Sequence, residues 1–219
     1  NLAGATISTG TLSITGVYTH TNGILTTNDS LILIATDSIT YGQIAGTGGG
    51  DISGAVTAQY IIPKSSGGKW RSISSPFTGN TISDLEDDIR INYGSPNYTY
   101  SNVWLLNEVE GGSSARGAWQ NVTSGSKSMD SVGFSIYLWS ENLSTNAILD
   151  LTGTYTKGNF TTASLSRTGA VSDTSGWHLL RNPWPSNYNH TGTINNLQSN
   201  TMDVYEGNSV RDWNGVTGS

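Results

Sequence analysis

The sequence predicts an all-β protein: a jelly-roll-like β-sandwich preceded by a short N-terminal segment that is either β-solenoid-like or a pair of hairpins. Three observations predict it. Charged residues make up only 12 % of the 219 residues, too few to coat helices, whereas Gly (27 residues), Ser and Thr abound, which suits strands joined by tight turns. Short runs of alternating apolar and polar residues recur between Gly, Asn and Ser clusters. Two stretches also echo each other: Trp70, Ile73, Pro76 and Phe77 recur in type and spacing as Trp177, Leu180, Pro183 and Trp184. Read as strands, Ile73 and Phe77 share one face, Leu180 and Trp184 share another, and each proline ends its ladder because it has no N–H to donate.

Residues 1–50 contain no Lys, Arg, Pro or Trp, and the triplet Leu12, Ser13, Ile14 returns as Leu31, Ile32, Leu33. A spacing of about 19 residues fits one rung of a solenoid, and two rungs are too few to stand alone. The segment must then stack on the following domain or on another molecule; hairpins are the alternative. Gly46 to Gly50 reads as a turn or linker, which sets domains at 1–50 and 51–219. It lacks the Lys of a phosphate loop. Strands follow at Val56–Pro63, around Trp70, and at Val103–Val109, Val132–Trp139, Ala147–Tyr155, Phe160–Ser166, Trp177–Arg181 and Thr201–Tyr205. Ser83 and Glu86 have the spacing of a capping box, predicting one short helix over Asp84–Arg90.

The absence of Cys removes thiol catalysis and Cys-ligated zinc. A net charge of −6, with no basic stripe, argues against nucleic acid as a partner. The longest apolar run, Leu31 to Ala35, is too short to insert in a membrane. With no initiator Met or signal peptide, Asn1 reads as a processed N-terminus or a fragment boundary.

Catalytic candidates are weak, and no enzyme is expected. Glu108 and Glu110 lie two apart without the surrounding acids and aromatics of a glycosidase. His20, His178 and His190 lack metal-ligand spacing, and there is no Gly-x-Ser-x-Gly elbow. No cofactor is expected, with one qualification: Asp84, Glu86, Asp87 and Asp88 are acidic enough for Ca²⁺, although a capped helix start explains them better, because the spacing and Gly of an EF-type loop are missing. Among the tryptophans, Trp70, Trp104, Trp139 and Trp177 sit in apolar strand patterns and read as core. Trp119, Trp184 and Trp213 sit in turn-rich contexts and are candidate carbohydrate contacts.

Several blocks together resemble a domain of large secreted and cell-surface proteins that Bacteroidetes bacteria export by the type IX secretion system. They are Leu25–Asn28 with Leu31–Leu33, Gly54–Thr57 with Tyr60–Pro63, Trp70–Pro76, Gly176–Ser186 and Val204–Ser209. Arg181 and Trp184 depart from the Gly and Tyr usual there, and Asn189-His190 from Asp-Trp. The resemblance implies an extracellular adhesin, surface-layer or matrix protein and brings no catalytic residues. It also implies O-glycosylation at Asp-Ser-apolar triplets, with Ser30, Ser38 and Ser131 as sites. The expectation is a non-enzymatic structural protein of a bacterial surface that assembles with copies of itself into a fibre or layer. Leu12, Ile14, Leu31 and Leu33 would form the assembly element. The alternative is an adhesin or carbohydrate-binding module that contacts a surface glycan.

Overall fold

The computed structural model describes residues 4–63, 68–94, 99–107, 119–139, 145–158, 160 and 178–186, and the backbone of 202–206 and 209–213. These residues are nearly all β, with no α-helix among them and no sheet closed into a barrel. Two compact units are present, Asn1–Ser186 and Asn187–Ser219. The second contains an antiparallel hairpin of β14 (Met202–Glu206) and β15 (Ser209–Trp213).

The first unit begins as a stack of rungs. The first rung is β1 (Ala5–Thr6), β2 (Leu12–Ile14) and β3 (Val17–Tyr18); the second is β4 (Ile24–Thr26), β5 (Leu31–Leu33) and β6 (Gln43–Ile44). The third starts with β7 (Asp51–Ser53) and β8 (Ala55–Ile62). Every rung-to-rung ladder is parallel: β1 on β4, β4 on β7, β2 on β5, β5 on β8 and β3 on β6. Hairpins would pair antiparallel, so these ladders are those of a solenoid-like coil. Leu12 pairs with Leu31, the repeat visible in the sequence, and Leu31 pairs in turn with Val56.

Turn chemistry holds the rungs in register. Asn28 and Asp29 adopt left-handed φ of 48° and 58°, a conformation Asn and Asp tolerate better than most residues. From this corner Asn28 Nδ2 donates to the Ile7 carbonyl at 2.9 Å, and Asp29 Oδ1 accepts the Ala55 N–H at 2.7 Å, which ties all three rungs together. Thr27, fully buried, donates its hydroxyl to the Ala55 carbonyl at 2.8 Å. From Gly48 to Gly50 the glycine run passes close against His20 and Thr21 of the neighbouring rung, while Gly46 is exposed with open space around it. A Cβ at Gly48 would collide with the His20 carbonyl, and Gly50, itself buried, donates its N–H to that same oxygen at 2.9 Å.

The main sheet runs across residue 50. Its order is β13-β8-β5-β2, where β13 (Ala147–Thr154) pairs antiparallel along the whole of β8. The sheet is therefore mixed. The other four-stranded sheet is antiparallel, in the order β11-β10-β12-β9, from β9 (Lys69–Ile73), β10 (Val103–Leu106), β11 (Trp119–Asn121) and β12 (Phe134–Leu138). One apolar core draws on both sheets: Leu31, Leu33, Val56, Leu149 and Leu151 from the first, Val103, Phe134 and Ile136 from the second, with Phe77 from the connection after β9.

Two expected elements differ. In place of a helix over Asp84–Arg90 there is a 3-10 turn, Ile82–Leu85, with Thr81 rather than Ser83 as its cap; the Thr81 N–H donates to the Asp84 carboxylate at 2.6 Å. The Ile82 and Ser83 N–H groups are bound to the carbonyls of Lys127 and Gly125, so the turn is built into a loop contact. The second echo stretch, from His178 on, is an irregular strap and not a strand. Its buried residues are Arg181, Pro183 and Pro185, while Leu180 is 39 % exposed, the opposite of the expected face. Hydrogen bonding decides this. Arg181 Nη1 donates to the Phe77 carbonyl at 2.9 Å, and the Pro185 carbonyl accepts the Ile44 N–H at 3.0 Å. Burial lowers the Arg181 pKa from its ordinary value, with Asp130 opposing the shift, and the guanidinium carbon lies 4.7 Å from the Phe160 ring centroid. Phe160–Ser166, apart from Phe160 itself, lies outside the described residues.

Replacing Thr27 with Val keeps the shape but leaves the Ala55 carbonyl without this donor. Urea unfolding should show a loss of about 1–3 kcal/mol. A change below about 0.3 kcal/mol would mean that the rung corner does not depend on this hydroxyl.

Candidate functional site

Two arrangements stand out, the outer edge of the first rung and an aromatic cleft on the antiparallel sheet. At the first, β1, β2 and β3 are each the terminal strand of their ladder among the described residues. The Leu12 N–H bonds to the Ser30 carbonyl and the Ile14 carbonyl accepts the Ile34 N–H. Alternation along the strand then turns the backbone groups of Ser13 to the other side, away from the second rung. The apolar layer is also unfinished. Leu31 and Leu33 are fully buried under the first rung, whereas Leu12 and Ile14 remain half-buried. All four expected assembly residues therefore lie in adjacent rungs of one sheet.

The cleft forms on the outer face of the antiparallel sheet. Cross-strand pairing sets Trp70 directly opposite Tyr137, and Trp104 opposite Ser135, so these side chains share a face, with Trp139 two residues beyond Tyr137. Trp70 and Tyr137 have ring centroids 5.3 Å apart, Trp70 and Trp104 6.5 Å, Tyr137 and Trp139 5.7 Å, and Tyr100 and Trp104 6.4 Å. Together with Asn92, Thr99, Ser101 and Asn102 they line a shallow, open hollow of about 340 Å³.

Buried amides hold the wall in place. Asn102 Nδ2 donates to the carbonyls of Arg90 and Tyr137 at 3.1 and 2.9 Å, and its Oδ1 accepts the Asn92 N–H at 2.7 Å. Asn92 Nδ2 reaches the Tyr100 carbonyl at 3.2 Å, and Trp104 Nε1 donates to the Ser101 carbonyl at 3.0 Å. Tyr100 is thus carried on a loop braced against the sheet that bears the other rings.

The core expectation fails for Trp70, which is 51 % exposed, and Trp104 and Trp139 are only half-buried. The inward positions of their sheet are taken by Val103, Phe134, Ile136 and Leu138. Trp119, one of the expected carbohydrate contacts, pairs with Leu106 and so shares the outer face with Trp104, outside the cleft lining. Trp184 is half-buried against Phe160, its Nε1 donating to the Gly158 carbonyl at 3.1 Å. Trp213 lies in β15 of the other unit, where only the backbone is described. Tyr100 and Tyr137 were missed. The two-residue spacing of Tyr137 and Trp139 was the available signal, since it places two rings on one strand face.

Each expected glycosylation triplet has its acid engaged by backbone. Asp29 holds Ala55, Asp130 Oδ1 accepts the Gly79 N–H at 2.7 Å, and Asp37 Oδ1 accepts the N–H groups of Ile39 and Thr40 at 2.8 and 2.7 Å. Ser38 and Ser131 are exposed; Ser30 is half-buried, donating to the Asn28 carbonyl at 3.1 Å. In the acidic patch, Asp84 binds Thr81, Glu86 accepts from the Tyr93 hydroxyl, and Asp88 Oδ2 accepts the Asp150 N–H at 2.7 Å. Burial, and then the charges of Asp87 and Asp150, push the Asp88 carboxyl up, against the lowering effect of its hydrogen bond. Among the described residues no group of three or more His, Cys, Asp or Glu is placed to hold a metal ion. Glu108, Glu110 and His190 lie outside the described residues.

No protein-family model, curated protein or solved structure matches this chain.

The two N–H groups from Ile39 and Thr40 hold the Asp37 carboxyl below the ordinary value of 3.8. Its contribution to the turn is therefore present above the unfolded carboxylate pKa and lost as pH falls through the lower folded one. Carboxyl-carbon NMR should give Asp37 a midpoint below that of exposed aspartates. A midpoint at or above the ordinary value would mean that the turn is open in solution.

Proposed function

We propose that this chain is a non-enzymatic structural protein of an extracellular bacterial surface that works by stacking onto further copies of itself. The observation that carries the reading is the outer edge of the first rung: three terminal parallel strands at one end of the stack, above a half-covered apolar layer. Natural edges are commonly blunted by Lys, Pro or inward-pointing charges. Residues 1–50 have no Lys, Arg or Pro, so the edge carries none of the basic or proline devices. A strand edge of another copy laid along β2 would extend its ladder and bury Leu12 and Ile14 as the first rung buries Leu31 and Leu33, although the far end of the stack offers no matching open rung, since β8 is paired by β13 and the Ile44 N–H of β6 is taken by Pro185. Where that strand lies elsewhere on the copy than its own first rung, the contact is head-to-tail, and its repetition produces a filament or layer when the rotation does not close.

The remainder of the first unit is read as an open β-sandwich, supported by the core that its two four-stranded sheets share. Placement with proteins exported by the type IX system rests on the sequence blocks alone. Within it, Ser38 and Ser131 are the accessible candidates for O-glycosylation.

Ser13→Pro tests the stacking directly. It removes an N–H that faces away from β5 while sparing the Leu12 and Ile14 bonds to the second rung. The native chain should form regular polymers by negative-stain electron microscopy and light scattering, and Ser13→Pro should remain monomeric with a closely similar melting temperature. Polymers unaffected by Ser13→Pro, or a native chain monomeric at every concentration, would overturn the proposal.

A further inference from the structure

We infer that the cleft of Trp70, Tyr100, Trp104, Tyr137 and Trp139 is a binding site for an uncharged, flexible polysaccharide chain. This inference stands apart from the stacking reading, because the cleft lies on the antiparallel sheet and not on the first rung.

Burial identifies the site as one built for contact. Two large rings remain open to solvent at its mouth, Trp70 at 51 % and Tyr100 at 64 %, while the inner face of the same sheet is filled with fully buried aliphatic and Phe side chains. An aromatic ring left at a surface offers an apolar face to whatever docks there. A pyranose presents axial C–H groups on one or both faces, and these stack on such rings at little conformational cost to the protein. The volume is at the lower end of the roughly 300–1,000 Å³ usual for ligand sites, which suits one or two sugar rings at a time.

Charge decides which sugars. Among the described residues lining the cleft there is no Asp, Glu, Lys, Arg or His side chain, and the Arg90 guanidinium carbon lies 6.0 Å from the Trp139 ring centroid. A polyanionic glycan would find no cation in the described lining, with Arg90 set against Trp139 at its border, and would approach a chain of net charge −6. A neutral chain meets neither obstacle. The polar lining is committed largely to the protein itself: Asn92 and Asn102 are buried and bonded to backbone on both sides of the loop. Affinity therefore comes mainly from stacking, on a wall fixed before the ligand arrives.

Ring angles decide its form. A flat crystalline surface requires coplanar rings in a row. Here Trp70 and Trp104 are inclined at 79°, Trp70 and Tyr137 at 63°, and Tyr100 and Trp104 at 36°. Rings so inclined present faces in several directions, which fits a single chain free to twist and not a crystalline sheet.

Affinity electrophoresis of the full chain in native gels tests this. The gels would contain mixed-linkage β-glucan, galactomannan or xylan, with polygalacturonate as the anionic comparison and microcrystalline cellulose pull-down as the flat one. At least one neutral soluble polysaccharide should retard the protein. Trp70→Ala and Tyr100→Ala, both at exposed positions, should each weaken that retardation by about tenfold or more without shifting the melting temperature. Trp119→Ala, on the same face beyond the cleft, should leave it unchanged. Carrying the same series on Ser13→Pro separates glycan binding from stacking, since the monomeric variant should bind equally well. The inference is overturned if no neutral polysaccharide retards the protein, if polygalacturonate alone does, if cellulose alone is bound, or if retardation survives both cleft substitutions.

Discussion

The structure depends on the double pairing of β8. Its residues Val56–Ala58 continue the parallel ladder of β5, while its full length pairs antiparallel with β13. A single strand thus ends a coil of stacked rungs and begins a conventional sheet. The two halves cannot shift against each other without breaking one ladder, since a slip of one residue would exchange the buried Val56 and Ala58 for the half-buried Thr57 and Gln59. The short coil thereby gains the third layer that two rungs of their own would lack.

Stacking short rungs leaves many backbone groups at corners, and the chain satisfies them with small polar side chains and glycine instead of charges. Thr27, Asn28 and Asp29 serve one corner, Asp37 another, and the close passage of Gly48 to Gly50 past His20 a third. The strap is fastened at two points, the Arg181 guanidinium donating to the Phe77 carbonyl and the Pro185 carbonyl accepting the Ile44 N–H. These contacts explain the unusual composition. A fold held by turn hydrogen bonds and β-branched ladders needs Thr, Asn, Ser and Gly and has little use for long charged side chains.

The two proposed contact surfaces would use different physics. At the first rung the recognition element is backbone, directional and repetitive, and suits a partner of the same kind. At the aromatic cleft it is side-chain surface, apolar and uncharged, and suits a soft chain with alternating C–H and hydroxyl faces. Away from both, the Asp84, Glu86 and Asp88 carboxylates are engaged by neighbouring donors.

Much of the fold was legible from pattern. Period-two alternation located β8, β10, β12 and β13, and the Leu12 and Leu31 triplets announced the rung spacing, because both signals are local. What was not legible depended on partners distant in sequence. Whether Gly46 to Gly50 was a linker or a packed corner turned on His20; whether Ser83 or Thr81 capped the turn turned on the carbonyls of Gly125 and Lys127; and the buried face of the 178–186 strap turned on Phe77 and Ile44. The aromatic cleft failed for the same reason. Alternation says that Trp70, Trp104 and Tyr137 each face one way along their own strand, but only the β9, β12 and β10 registers bring them to one face, and only the filling of the opposite face by Phe134 and Ile136 leaves them outside. By itself the sequence determined strand content, repeat length and the absence of thiol chemistry, all set by residue type and spacing. The tertiary structure alone decided which face of each strand met water, because burial is a property of pairs of surfaces and not of either one.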